Sequence, residues 1–195
     1  MKRFLILMTI FALSATGCKQ TSQTMNRDFI QLATDRYSVR SFDSTLVSRE
    51  LIDKILKAGQ LAPTAVNSQP QKIYVVTSPE KIAELNTVSP CLYGAPQCFV
   101  FCYDDSAVCP RGEGDNYGDI DVTIVLTHMA LEATDLGIGT CIVGYFDPEK
   151  LAGVMDLPEG IHPVLLMPFG YASEGCQPSP RHTETRPIED MVEFR

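Results

Sequence analysis

The stretch from Asp119 or Asp121 to Leu136 constrains the fold most. Val122, Ile124, Val125, Leu126, Met129, Ala130, Leu131 and Ala133 crowd into it and leave little polar face. A helix this apolar must be covered on most sides, at the centre of a domain or between subunits. The chain has 195 residues, and a folded chain of that size removes roughly 70% of its unfolded surface from water. One domain with its own core, needing neither metal nor disulfide staples, is therefore predicted. Its charge bears on partners: 24 acidic residues against 16 basic ones give −8. No basic face is available in bulk to neutralise phosphates, so nucleic acid is not an expected partner.

Helical and strand signals alternate around that stretch, with no repeat and no internal linker. Phe29, Ile30 and Ala33 mark a short amphipathic helix, and Ser48 caps a stronger one in which Leu51, Ile52, Ile55, Leu56 and Gly59 share a stripe until Pro63. Lys72 to Thr77 reads as a strand, and Ser78-Pro79 opens a helix to Leu85. Cys98 to Tyr103 is a second strand, followed by the polar loop Asp104 to Gly118, long enough to act as a lid or binding loop. Gly137 closes the apolar helix, Asp147-Pro148 caps a helix to about Val154, and Val164 to Phe169 is a third strand. The tail from Ser173 to Arg195 is polar and has no core of its own.

The first residues stand apart from this domain. Lys2 and Arg3 precede an apolar run from Phe4 to Leu13, and Ser14-Ala15-Thr16-Gly17-Cys18 then supplies small residues ending at a cysteine. This is the pattern of a secretory signal, and the run is too short for a bilayer core of about 30 Å. The residues before Cys18 resemble a bacterial lipobox, with Ala15 where leucine is usual. The reading is a signal peptide over 1–17, a lipidated Cys18 with a polar tether over 18–25, and the domain over 26–195. It makes the protein extracytoplasmic and lipid-anchored to a bacterial membrane. An ordinary cleaved signal with an incidental cysteine is the alternative.

Export permits disulfides among Cys91, Cys98, Cys102, Cys109, Cys141 and Cys176 without requiring them. Cys98 and Cys102, four apart on a strand, lie about 13 Å from each other along the chain and cannot bridge. Buried apolar thiols are the expected role. There is no C-x-x-C pair, no phosphate loop, no H-E-x-x-H and no G-x-S-x-G, and the histidines at 128, 162 and 182 lack metal-ligand spacing. His128, within the apolar helix, reads as a core or interface histidine. Gly137, Gly139 and Gly144 follow a helix rather than a strand, which excludes a dinucleotide fingerprint. An enzyme built this way must leave the chemistry to a cofactor.

Three segments bear on which cofactor. Arg36-Tyr37-Ser38-Val39-Arg40-Ser41-Phe42 puts two guanidiniums and hydroxyls within reach of a phosphate and a polyol, although basic residues after a helix also serve its negative end. Ala62-Pro63-Thr64-Ala65-Val66-Asn67-Ser68-Gln69-Pro70-Gln71 is a polar loop between a helix and a strand. Leu136 to Phe146 supplies glycines that let backbone approach a flat ligand.

In this order, with Phe169-Gly170-Tyr171 and Arg186-Pro187-Ile188-Glu189-Asp190 after them, these segments resemble the nitroreductase family of flavin mononucleotide (FMN) enzymes. The resemblance runs from about Asn26 to Arg195. It implies an α+β fold, a mixed central sheet flanked by helices, in an intertwined homodimer with flavins at the subunit interface. Carried over position by position, it gives Arg36, Tyr37, Ser38 and Arg40 as the first flavin-binding segment, Arg36 and Ser38 toward the phosphate and Arg40 toward the pyrimidine side of the ring. Pro63, Thr64, Ala65 and Asn67 match the loop that reaches the flavin from the other subunit. The backbone of Val143 and Gly144 faces the ring's N5 and O4, and Arg186 matches a late phosphate-binding arginine. The sequence departs at Glu184, where the family is often basic, and at Gln71, where an aromatic residue is common.

The activity implied is reduction of a nitroaromatic, quinone or similar small oxidised acceptor, with electrons taken from a small-molecule donor in a separate step. The chemistry is flavin-centred and needs no catalytic side chain and no metal. Export leaves the compartment where nicotinamides are kept reduced, so the expected physiological donor is something other than free NADH or NADPH. A non-catalytic flavin- or ligand-binding lipoprotein on the same scaffold is the alternative, and an offshoot that cleaves flavin or dehalogenates is a third.

Overall fold

A computed structural model of the protein describes residues 28–195. The expected signal peptide, Cys18 and the whole tether lie outside the described residues. Among those described, no helix is long and apolar enough to cross a membrane.

The run Gln97 to Cys102 is buried throughout, which only a strand flanked on both edges and both faces allows. It forms the inner part of β2 (Gln97–Asp104), in a four-stranded sheet ordered β1-β2-β4-β3 with β1 (Gln71–Val76), β3 (Gly139–Thr140) and β4 (Ile161–Gly170). These strands pair antiparallel. The parallel component of the sheet is a single bridge from Ser38 to Thr140. Side chains alternate between two faces. Phe99 and Phe101 join Met167 and Phe169 on one face, while Cys98, Val100 and Cys102 join Leu166 on the other. The Phe99 and Phe169 rings stack with centroids 4.2 Å apart.

Helices cover both faces. On the phenylalanine face lie α2 (Arg49–Gln60) and α4 (Gly118–Asp135), and on the cysteine face lie α3 (Pro79–Val88) and α5 (Pro148–Val154); α1 (Phe29–Asp35) opens the described chain. The predicted caps are present: Ser48 accepts from the Leu51 amide, Ser78 from Lys81 and Asp147 from Lys150. α4 buries Val122, Val125, Leu126, Met129, Ala130 and Ala133 against α2 and the sheet of its own chain. A single chain thus absorbs most of the apolar face that the sequence presents. Its end is a Schellman closure, with Gly137 at φ 74°, the Gly137 amide on Thr134 and the Ile138 amide on Ala133.

Two strands depart from expectation. β4 begins at Ile161 rather than Val164, because Pro163 sits opposite Cys102 where the β2–β4 register shifts, one of the few places a sheet accepts proline. β3 has only two residues and was not predicted as a strand. A Cβ on Gly139 would stand 2.7 Å from the Val39 side chain and 3.3 Å from the Gly170 carbonyl. Three backbones converge there because residue 139 has no side chain.

Candidate functional site

The segment leaving α1 is the first part of the site. Arg36 caps the helix in an extended conformation, and the chain then lies along β3, with the Val39 amide on the Thr140 carbonyl at 2.9 Å. Val39 is buried beneath it, which leaves Arg36, Tyr37 and Ser38 half-buried and Arg40 exposed. The Arg40 guanidinium lies 6.0 Å from the centroid of the Tyr93 ring and donates to the Ser38 carbonyl at 3.3 Å. It makes no pair with Asp43, whose carboxylate accepts from the Thr45 amide instead.

The second part is the strand-like continuation of β3. The Cys141 amide bonds the Pro168 carbonyl, and Val143 and Leu166 exchange both backbone bonds. Since alternate amides of an extended chain point to opposite edges, those of Ile142 and Gly144 point away from β4, to the edge along which Ser38 and Val39 run. The Ser89 hydroxyl, bonded to the Tyr145 carbonyl at 2.6 Å and accepting from the Cys91 amide, ties the Pro90–Leu92 turn and Tyr93 to this run. Arg40 and the Gly144 backbone therefore share one neighbourhood.

The third part comes from the tail. A cavity of about 330 Å³ is lined by Arg36, Tyr37, Ser38, Arg40, Ser179, Arg181 and His182. The tail is held there by the His182 ring, 2.9 Å from the Thr34 carbonyl and edge-on to Tyr37 at 6.2 Å. Sequence reasoning missed Ser179, Arg181 and His182. The available signal was a pair of adjacent basic residues in an otherwise polar, proline-containing tail. Arg186, the expected late arginine, does not line this cavity; its guanidinium donates to the Asp190 carbonyl at 2.8 Å.

The loop carrying Pro63, Thr64, Ala65 and Asn67 does not line the basic cavity either. It contains a short 3-10 turn, Ala65–Asn67, with Val66, Asn67 and Gln69 at positive φ. Thr64 accepts from the Gln69 amide at 3.0 Å and Asp121 accepts from the Ala65 amide at 2.9 Å.

The thiols contribute packing. Burial pushes the Cys98 and Cys102 thiols up to about 12. Burial also raises Cys141, against the opposing pull of Arg40 and a Ser38 hydrogen bond. All six cysteines among the described residues are free. His128 spends its ring nitrogen on the Ile124 carbonyl of its own helix, at 2.9 Å. No group of histidine, cysteine and carboxylate side chains able to hold a metal occurs among the described residues.

Helices on both faces of an antiparallel sheet, with an arginine-rich cleft at the β3 edge, define an α+β ligand-binding domain. The family model described as Nitroreductase family matches residues 33–93 and 87–171, and the chain belongs to that family. A solved nitroreductase family protein from Clostridium difficile 630 superposes with a TM-score of 0.80 at 34% identity, covering 86% of this chain and 98% of that one. Among curated relatives, an FMN reductase (NAD(P)H) of Bacillus subtilis (strain 168) is 28% identical over 173 residues, covering 79% of this chain and 70% of the relative. An NADPH-dependent oxidoreductase of Staphylococcus haemolyticus (strain JCSC1435) is 31% identical over 165 residues, covering 74% and 66% respectively.

Proposed function

We propose that this protein is an FMN-dependent oxidoreductase that reduces a nitroaromatic, quinone or similar small oxidised acceptor. The observation that carries the reading is the basic cavity. A chain of net charge −8 gathers three arginines and a histidine around a single space of about 330 Å³. That concentration of donors suits a doubly charged phosphate ester, since guanidiniums and hydroxyls bind phosphate oxygens through charge-assisted bonds. Arg36, Arg181, Ser38 and Ser179 would hold the phosphate. Arg40 and the Gly144 backbone would meet the flavin ring, where positive charge favours the reduced, anionic form; the Val143 backbone, expected there from the sequence, is spent on Leu166 instead. Bound FMN supplies two-electron exchange, taking electrons from a donor and passing them to an acceptor.

This chain's residues bind and orient; none is assigned a proton transfer. Arg186 and the loop bearing Pro63, Thr64, Ala65 and Asn67 stand outside the cavity of their own chain, and we assign them to the flavin of a second copy. The protein is on this reading a homodimer. The names of the relatives, FMN reductase (NAD(P)H) and NADPH-dependent oxidoreductase, support a nicotinamide as reductant in vitro. One experiment tests cofactor and assembly together: light scattering of the protein eluting after incubation with FMN. A yellow species of twice the chain mass is expected; a colourless protein or a yellow monomer overturns the corresponding part.

Membrane attachment rests on the residues up to Cys18. Two acyl chains anchor a protein because each buried methylene contributes about 0.8 kcal/mol. Cys18→Ser is expected to move the protein from the membrane to the soluble fraction on detergent partitioning, and retention in the membrane would refute lipidation there.

A further inference from the structure

The loop that the proposed function places against a flavin is unusual in its backbone. Val66, Asn67 and Gln69 have φ of 48°, 57° and 51°, a region that side-chain-bearing residues avoid and that persists only where surroundings enforce it. Val66 cannot be enforcing it by packing, because it is 85% exposed. Thr64 braces the loop internally through the Gln69 amide. A tie to distant structure comes from the Ala65 amide, which donates to Asp121 Oδ1 at 2.9 Å across 56 residues of sequence.

Asp121 is itself costly. It sits in the first turn of α4, 2% exposed, and its second oxygen, Oδ2, has no hydrogen-bond partner. Ser68 Oγ and Gln71 Oε1, at the far end of the same loop, are also buried without partners. Buried polar atoms are paired in the great majority of cases, so three unpaired ones around a single strained loop mark a place where geometry outweighs local stability. The positive end of α4 offsets part of the carboxylate's desolvation, and the Ala65 bond uses it to set the position of the loop.

We infer that Asp121 is a positioning residue: by holding the Ala65 amide, it keeps residues 63–69 in the shape that meets the flavin, without touching ligand itself. This rests on the proposed function for the flavin's identity. The hold on the loop does not.

The test uses the full chain and two routes to the same broken bond. Asp121→Ala removes the acceptor, and Ala65→Pro removes only the donor. Thr64 is already extended, as a residue before proline must be. Hydrogen exchange on the flavin-free protein is expected to quicken at least tenfold over residues 66–69 in both variants while β2 keeps its protection. FMN titration by fluorescence should show a Kd at least tenfold higher in both, and Asp121→Asn, which retains an acceptor oxygen, should restore it to within threefold of the parent. Loop exchange and Kd both within twofold of the parent in Asp121→Ala, or no rescue by Asp121→Asn, overturns the inference. If the parent protein fails to bind FMN, the functional reading falls, and the exchange measurements alone decide the role of Asp121.

Discussion

Phe169→Ala is expected to lower folding stability by about 3–5 kcal/mol, the range for emptying a fully buried aromatic site. Phe169 has no exposed surface, stacks on Phe99 and lies in the core between the sheet and α2 and α4. Neither neighbour can collapse into the space, since Phe99 is fixed in the central strand and the α2–α4 contact is already close: a Cβ on Gly59 would stand 2.7 Å from Met129. Phe169→Leu, which keeps most of the volume, should lose far less. Urea unfolding of both variants checks the pair, and equal midpoints for the two would show that filling this volume contributes nothing to stability.

Arg40→Ala is expected to raise the FMN dissociation constant about ten- to hundredfold, since a hydrogen bond to a charged group contributes about 1.5–3 kcal/mol. Arg40 is exposed and makes only a long bond to the Ser38 carbonyl and a ring contact with Tyr93, so its loss should leave thermal stability near that of the parent. Arg181→Ala should weaken binding as well, with an effect that shrinks as salt rises, because its place in the cavity is that of a phosphate partner. Fluorescence titration at two ionic strengths separates these outcomes. Unchanged affinity in both variants would remove the basic cavity from the account.

Local signals in the sequence reached far into this fold. Ser48, Ser78 and Asp147 cap helices because a short polar side chain before an amphipathic run is sufficient to satisfy the first free amides. The buried run at Cys98 to Cys102 declares a central strand by itself. Harder to read were features set by pairing across long separations. The start of β4 is hidden by Pro163, which is tolerated only because the neighbouring strand shifts register opposite it. β3 is too short for any periodicity and exists because Gly139 lets Val39 and Gly170 come close.

The candidate site divides in the same way. Arg36, Tyr37, Ser38 and Arg40 are adjacent in sequence and line one cavity, so a motif was sufficient to find them. Arg181 and His182 arrive from the tail through the His182 contact with Thr34, 148 residues away, and no local pattern announces that meeting. Asp121 was legible as a possible helix start. Its bond to Ala65 was not.

The Schellman turn at Gly137 and Ile138 hands the chain from α4 to β3 with no spacer, and that sets a parity. The amides of residues 141 and 143 bond β4, alternation along an extended chain turns those of 142 and 144 to the opposite edge, and a shift of one position exchanges the two sets. Adding or removing a single residue at this joint would turn the β4-bonded amides to the opposite edge and carry Cys141 and Val143 out of their packing. The joint can therefore drift in side-chain identity, yet its length is locked to an even or odd count by the site that it feeds.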